Sequence, residues 1–469
     1  MRRIIKNILR SLGFDRAVTF GLMTRVWGLF SGPITMVVIA TKLSPIQQGF
    51  YFTFSSLLAL QMFFDLGLMF VIAQFSSHEF VDLSWKKNGA IDGSPLAVRR
   101  FTDLLCKTTL WFGVAALLMI IVLVPAGLIF FQQKGNVDFS WRIPWTLAVI
   151  GTALNLFVCP FFSIMLGSGE VVTVNKRELV SALSSSILCW SVLSLHGGLY
   201  AAFAVNLGGL FISWGYLLSR RPEMIKLAWR GWFGEERQQR KASGGLSWWK
   251  EIWPMQWRLA ISVGSSYFIF QLFNPVLFQY HGSVIAGQMG MTLTAANALL
   301  AGSTTVFNVK VPEFGKLVAN RDWKRLDDIF MDGTRRALLL ALFGTVAGTS
   351  AIWALQSYTT LGKRFIPYAE AGLLFSTVFF QIVIASLAAY LRSHKKEPLM
   401  KMTILASILQ GAATWYFGKH YAALGVTVAF FIINSCFIFP YTFFVWRRCK
   451  RQWHSAEAPE PLQPGTEPL

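Results

Sequence analysis

Long apolar blocks constrain this chain more than any motif in it. A helix that crosses the hydrocarbon core of a bilayer needs about 20 predominantly apolar residues. Twelve stretches meet that requirement: 18–40, 50–73, 106–131, 144–167, 176–194, 197–218, 255–279, 283–306, 336–357, 371–391, 399–418 and 421–446. The fifth is the weakest, because Lys176, Arg177 and Glu178 crowd its start. A soluble reading fails on composition, since soluble domains carry about 25% charged residues and this chain has 14%, with 54% hydrophobic. The fold class that follows is an all-α polytopic membrane protein of about twelve transmembrane helices.

Charge placement tests the count. With the N-terminus inside, the inner segments hold 34 of the 43 Lys and Arg residues and the outer loops hold six: Lys42, Lys134, Arg142, Lys363, Arg364 and Lys419. The other three are Arg25, Lys107 and Arg258. That bias is what the positive-inside rule predicts for an even number of spans with both termini in the cytoplasm. The net charge of +20 therefore reads as a topology signal with anionic lipid as its neighbour, and not as a nucleic-acid footprint. Residues 1–17 are basic, with Ile4, Ile5, Ile8, Leu9 and Leu12 at helical spacing, and predict an interfacial amphipathic helix.

Three landmarks recur at nearly one offset. Arg25 and Arg258 are 233 apart, Glu79-Phe80 and Glu313-Phe314 are 234 apart, and Arg99-Arg100 and Arg335-Arg336 are 236 apart. They predict a duplicated six-span unit, with bundles over 18–218 and 255–446, a cytoplasmic linker over 219–254, and a basic, Pro-containing tail over 447–469. Six is even, so both copies share one orientation about an axis along the membrane normal.

Motifs for chemistry are missing. The five Cys residues are dispersed without C-x-x-C spacing, and the six His residues form no H-E-x-x-H metal pair. No nucleophile elbow or phosphate-cradling P-loop occurs. Asp327-Asp328 sits among Arg321, Lys324 and Arg325, where a solvated ion network outweighs a metal-diphosphate site. No cofactor or metal is expected, and passage of a solute is favoured over catalysis.

Ionisable residues inside spans cost about 2.5–3.5 kcal/mol on translocon scales, so each needs a reason. Arg25 in the first span and Asp65 in the second reach similar depths from the inner edge. They either pair as a structural ion pair, or Arg25 faces a watery cavity where it meets an anion, with Asp65 as counter-charge or proton site. Arg258 lies about one turn inside the seventh span, where it either snorkels to the headgroups or joins Arg25 in holding a diphosphate bidentately. Among uncharged polar residues, Gln61 with Asp65, and Gln271 with Asn274, share helical faces and are candidates for a hydrophilic lumen. Gly32-Pro33, Pro160 and Pro275 are expected to bend their spans.

The run from Leu43-Ser44-Pro45 through Gln48-Gly49-Phe50-Tyr51-Phe52 to Leu68, with Gln74 to Phe80 after it, resembles the N-terminal signature of bacterial polysaccharide-biosynthesis (O-antigen) flippases. The stretch Glu251 to Gly282 resembles the start of their second half. These proteins belong to the multidrug/oligosaccharidyl-lipid/polysaccharide (MOP) exporter superfamily. The resemblance implies two six-helix bundles around a central cavity that opens alternately to either side of the inner membrane. It implies a polyprenyl-diphosphate-linked oligosaccharide as cargo for lipopolysaccharide assembly, with glycan-assembly proteins as partners. Arg25 and Arg258 occupy the places that the resemblance associates with the diphosphate. The rival readings are a cation-coupled drug antiporter on the same fold and a membrane glycosyltransferase or polymerase.

Overall fold

The computed structural model describes residues 16–86, 90–132, 137–233, 247–394 and 396–455. The expected interfacial helix, apart from its last two residues, the 234–246 part of the linker and the tail beyond Ser455 lie outside the described residues.

The helices in chain order are α1 (Arg16–Lys42), α2 (Pro45–Leu58), α3 (Met62–Asp65), α4 (Leu68–Glu79), α5 (Pro95–Gln132), α6 (Arg142–Gly167), α7 (Val171–Ser194) and α8 (Tyr200–Arg220). They continue as α9 (Pro222–Phe233), α10 (Trp253–Phe270), α11 (Phe273–His281), α12 (Ser283–Asn308), α13 (Val311–Ala319), α14 (Trp323–Tyr358), α15 (Tyr368–Ser393), α16 (Met400–Ile432) and α17 (Phe439–Ser455). A two-stranded antiparallel hairpin, β1 (Leu83–Trp85) with β2 (Ile91–Gly93), separates α4 from α5.

Eight helical stretches among the described residues are long and apolar enough to cross a bilayer, and ten crossings result when each of two bent pairs is one span. The pairs are the α2–α4 stretch, bent by 41°, and the α10–α11 stretch, bent by 42°. One of the eight, Met400–His454, is itself two crossings. Its helical geometry fails at Tyr421 and Ala422, where Ala422 takes φ 51°. There a Cβ on Gly418 would lie 3.0 Å from Val426, and one on Gly425 would lie 2.3 Å from the Phe417 carbonyl. Residues eight apart in a continuous helix are separated by about 12 Å of rise, so the chain reverses there. The twelfth crossing is α7, at 24 residues or about 36 Å. Its Asn, Lys, Arg, Glu and Ser residues keep it off the apolar set.

Close packing compensates for that polarity. In lipid, helices associate through small residues that let backbones approach. A Cβ on Gly208 of α8 would come within 2.5 Å of the Ser185 nitrogen of α7. Ser185 Oγ donates to the Val205 carbonyl at 2.7 Å, and on its other side α7 receives Trp27 Nε1 of α1 at Ser186 Oγ, 3.3 Å.

The inner segments expected from the charge bias form the basic end of the bundle, and two features there are ordered. The linker contains structure that the sequence reading treated as loop. Amphipathic α9 buries Met224 and Ala228 while Lys226, Trp229 and Arg230 are exposed, and Trp232 Nε1 donates to the Cys106 carbonyl of α5 at 3.1 Å. Asp327 receives Lys450 Nζ at 2.6 Å and Tyr390 Oη at 2.9 Å, so the Asp327-Asp328 dipeptide contributes to an ion network.

Candidate functional site

Two of the seams between the first six and the last six crossings bear on the site. One joins α2 to α12 at the end opposite the basic loops. There a Cβ on Gly49 would fall 1.9 Å from the Ser283 carbonyl oxygen, and one on Gly290 would fall 2.4 Å from Phe52 Cβ. Gln48, fully buried, donates to the carbonyls of Gly287 at 2.9 Å and Arg364 at 3.0 Å. Burial lowers the proton affinity of the Arg364 guanidinium below its ordinary value. Phe278 of α11 stacks edge-on against Phe50 and Phe131, with centroids 5.0 and 5.2 Å apart. The two bundles pack closely along this seam.

The other seam, nearer the basic end, joins the broken α3–α4 segment to α10. The break falls at Leu66 and Gly67, both left-handed at φ 53° and 68°. Gly67 is required twice: for that backbone conformation, and because a Cβ there would meet Leu259 and Val263 at 3.3 Å. Asp65 ends α3 at the break. Its Oδ1 is buried without a hydrogen-bond partner. At the extremity Arg100 clasps Glu79 through two nitrogens, at 2.7 to 3.0 Å, and reaches Glu251 ahead of α10 at 3.2 Å. Trp111 and Trp248 stack beside it at 5.7 Å.

A further contact between the halves joins α1 to α12. A Cβ on Gly302 would lie 3.3 Å from Leu29 Cδ2. Arg25, one turn earlier, is exposed, with no ion pair or hydrogen bond among the described residues. It shares its helix face with Gly28 and Gly32, whose Cβ positions meet no atom within 4 Å. The far face of α1 carries Met23, Val26, Phe30, Ile34 and Val37, large exposed apolar side chains of the kind that faces lipid. Arg25 therefore looks into open space away from that stripe. Asn297 of α12 is also exposed.

The other sequence candidates separate. Arg25 and Asp65 do not pair. Arg258 is exposed, with its guanidinium 5.6 Å from the Trp257 ring, and at helical spacing it shares a face with Ser262 and Ser265. Gln61 is exposed beside a cavity of about 270 Å³ enclosed by Tyr51, Ser55, Thr152 and Asn206 of α2, α6 and α8. Gln271 and Asn274 do not share a continuous helical face, because the chain breaks between Phe270 and Phe273. Asn274 is buried and donates to Ser56 Oγ at 3.0 Å, linking α11 to α2, while its Oδ1 is buried without a hydrogen-bond partner.

Comparison with models of known families finds no match, and comparison with curated proteins finds none either. Solved structures do match over nearly the whole chain. The MATE multidrug transporter DinF-BH superposes with a TM-score of 0.59 at 14% identity, covering 95% of this chain and 96% of its own. An inward-facing multidrug resistance MATE family transporter of the MOP superfamily gives 0.58 at 14%, covering 91% and 99%. The lipid II flippase MurJ in an inward closed conformation gives 0.55 at 12%, covering 92% and 87%. The chain is a polytopic all-α membrane protein whose fold is similar to those of these solved MATE and MurJ structures.

Proposed function

We propose that this protein flips a polyprenyl-diphosphate-linked oligosaccharide from the inner to the outer leaflet of a bacterial inner membrane for surface polysaccharide assembly. The observation that carries the reading is the uncompensated guanidinium of Arg25, exposed on the glycine face of α1 and turned from the lipid-facing stripe. A charge left without a partner in a span is retained for what it meets. Arg258 stands at the repeat-related place in α10, on a face with Ser262 and Ser265. Two planar forks suit a diphosphate, whose oxygens accept bidentate hydrogen bonds.

In this reading the basic loops are cytoplasmic and the seam at Gly49 and Gly287 is the closed outer gate. The diphosphate enters between α1 and α12 while the polyprenyl tail stays in lipid. The six-helix bundles then rock about the contacts of α3–α4 with α10, which opens the outer end. Asp65, with one oxygen free, is the counter-charge or coupling site, and hydroxyl-bearing sugars suit Gln61 and the polar cavity beside it.

Deleting the gene and locating the lipid-linked oligosaccharide tests this directly. Accumulation on the cytoplasmic leaflet with glycan synthesis intact is expected, and an even distribution across the leaflets contradicts the proposal. Arg25→Ala at normal membrane abundance should abolish complementation. A drug antiporter of the same fold would instead leave the lipid distribution unchanged and alter efflux of organic cations.

A further inference from the structure

A crevice of about 640 Å³ separates α7 from α8 at the basic end, within the roughly 300–1,000 Å³ typical of ligand pockets. Its walls are largely apolar, with Val180 and Phe211 exposed, and four cations ring it: Lys176, Arg177, Arg220 and Arg221. The crevice opens on the lipid side. On the opposite flank of α7, Cys189 is buried against Tyr51 of α2. The neighbouring groove between α1 and α7 is formed by the same Met23, Val26 and Phe30 stripe that faces lipid.

Two of the cations are held in place. Arg177 donates to Ser213 Oγ at 3.1 Å, lies 3.6 Å from Glu178, and stacks 4.1 Å over the Phe162 ring. Arg221 pairs with Glu170 and stacks 4.4 Å over Trp85. The Nε atoms of both are buried without a hydrogen-bond partner. Lys176 and Arg220 are exposed and make no ion pair among the described residues. Among the described residues, the acids paired with these four cations are Glu170 and Glu178, which leaves a surplus of two positive charges.

We infer that this crevice binds the phosphate of an anionic phospholipid from the leaflet at the basic end, with the acyl chains lying along Val180 and Phe211. A basic pocket between spanning helices at the cytoplasmic interface is a lipid headgroup site by its chemistry. Two fixed guanidinium groups supply geometry, and Lys176 and Arg220 close over the headgroup by snorkelling. The bound lipid would also seal α7, the most polar of the crossings, against α8. This inference is independent of the transported substrate and of Arg25.

Native mass spectrometry of the detergent-purified full chain tests it, with phosphatidylglycerol, phosphatidylcholine and soluble glycerol 3-phosphate as probes. Phosphatidylglycerol should be retained about tenfold over phosphatidylcholine, and Lys176→Gln with Arg220→Gln should erase that preference. The conservative pair Lys176→Arg with Arg220→Lys should keep it, which separates loss of charge from loss of fold. Equal retention of the two lipids, or an undiminished preference in the Gln pair, overturns the inference. Displacement of the lipid by an equal concentration of glycerol 3-phosphate also overturns it, in favour of a soluble-phosphate site.

Discussion

Arg100 gathers both halves of the chain at the basic end, bonded to Glu79 on one side and Glu251 on the other. Glu79 is only 12% exposed, so removing its partner strands a desolvated carboxylate. Arg100→Gln should therefore cost roughly 1–3 kcal/mol, read as a lower thermal midpoint of the purified protein. Glu251→Gln should cost less, because Glu251 is more exposed. Both landmarks, Glu79 and Arg100, were legible in the sequence through the repeat, but their pairing was not, since no periodicity predicts which acid meets which base. The second copy shows the same limit: Glu313 lies 3.6 Å from Arg325, while Arg336 pairs with Asp332. Charge depth gave Arg25 and Asp65 as neighbours or as cavity groups. Only the helix rotation and the break at Leu66 decide that they stay apart.

Helices that are uniformly apolar announced themselves in the sequence, and those that depend on neighbours did not. The span from Val171 to Ser194 looked weakest because its own residues do not supply its stability. It is held by the glycine face of α8 and by Trp27 and Trp190, the latter donating to Thr35 at 2.8 Å. Gly208→Val should place methyl groups where the Ser184–Ser185 backbone already lies. The expected loss is about 1–3 kcal/mol, measurable as reduced folded yield and a lower midpoint, whereas Gly215→Ala, with nothing within 4 Å, should be neutral. The helices run unbroken through Pro33 and Pro160, and one of the two breaks falls at Leu66-Gly67 with no proline near it. Pro275 does follow its break, in the first turn of α11. Membrane helices tolerate proline when neighbours satisfy the freed carbonyl, so the tertiary seam with α10 decides where the second span bends.

The architecture as a whole is an exchange: α1 packs on α12, and the α3–α4 segment packs on α10, the reciprocal arrangement that a tandem six-span repeat about a membrane-normal axis would give. The spacing of Arg25 and Arg258 predicts such a repeat, but the close packing of the α2–α12 seam depends on side-chain fit at Gly49, Gly287 and Gly290, invisible one residue at a time. If transport requires that seam to part, a disulfide across it must stop transport. Phe52→Cys with Gly290→Cys lies within reach of a bridge after slight adjustment, and oxidation should abolish complementation while reduction restores it. The most direct test of the account is the accessibility of position 25. In a chain with its five native cysteines replaced, Arg25→Cys should react with a membrane-impermeant thiol reagent from the cytoplasmic side, and a polyprenyl diphosphate should protect it. Reaction only with a lipid-soluble reagent, or none at all, would contradict a guanidinium that meets its anion in water.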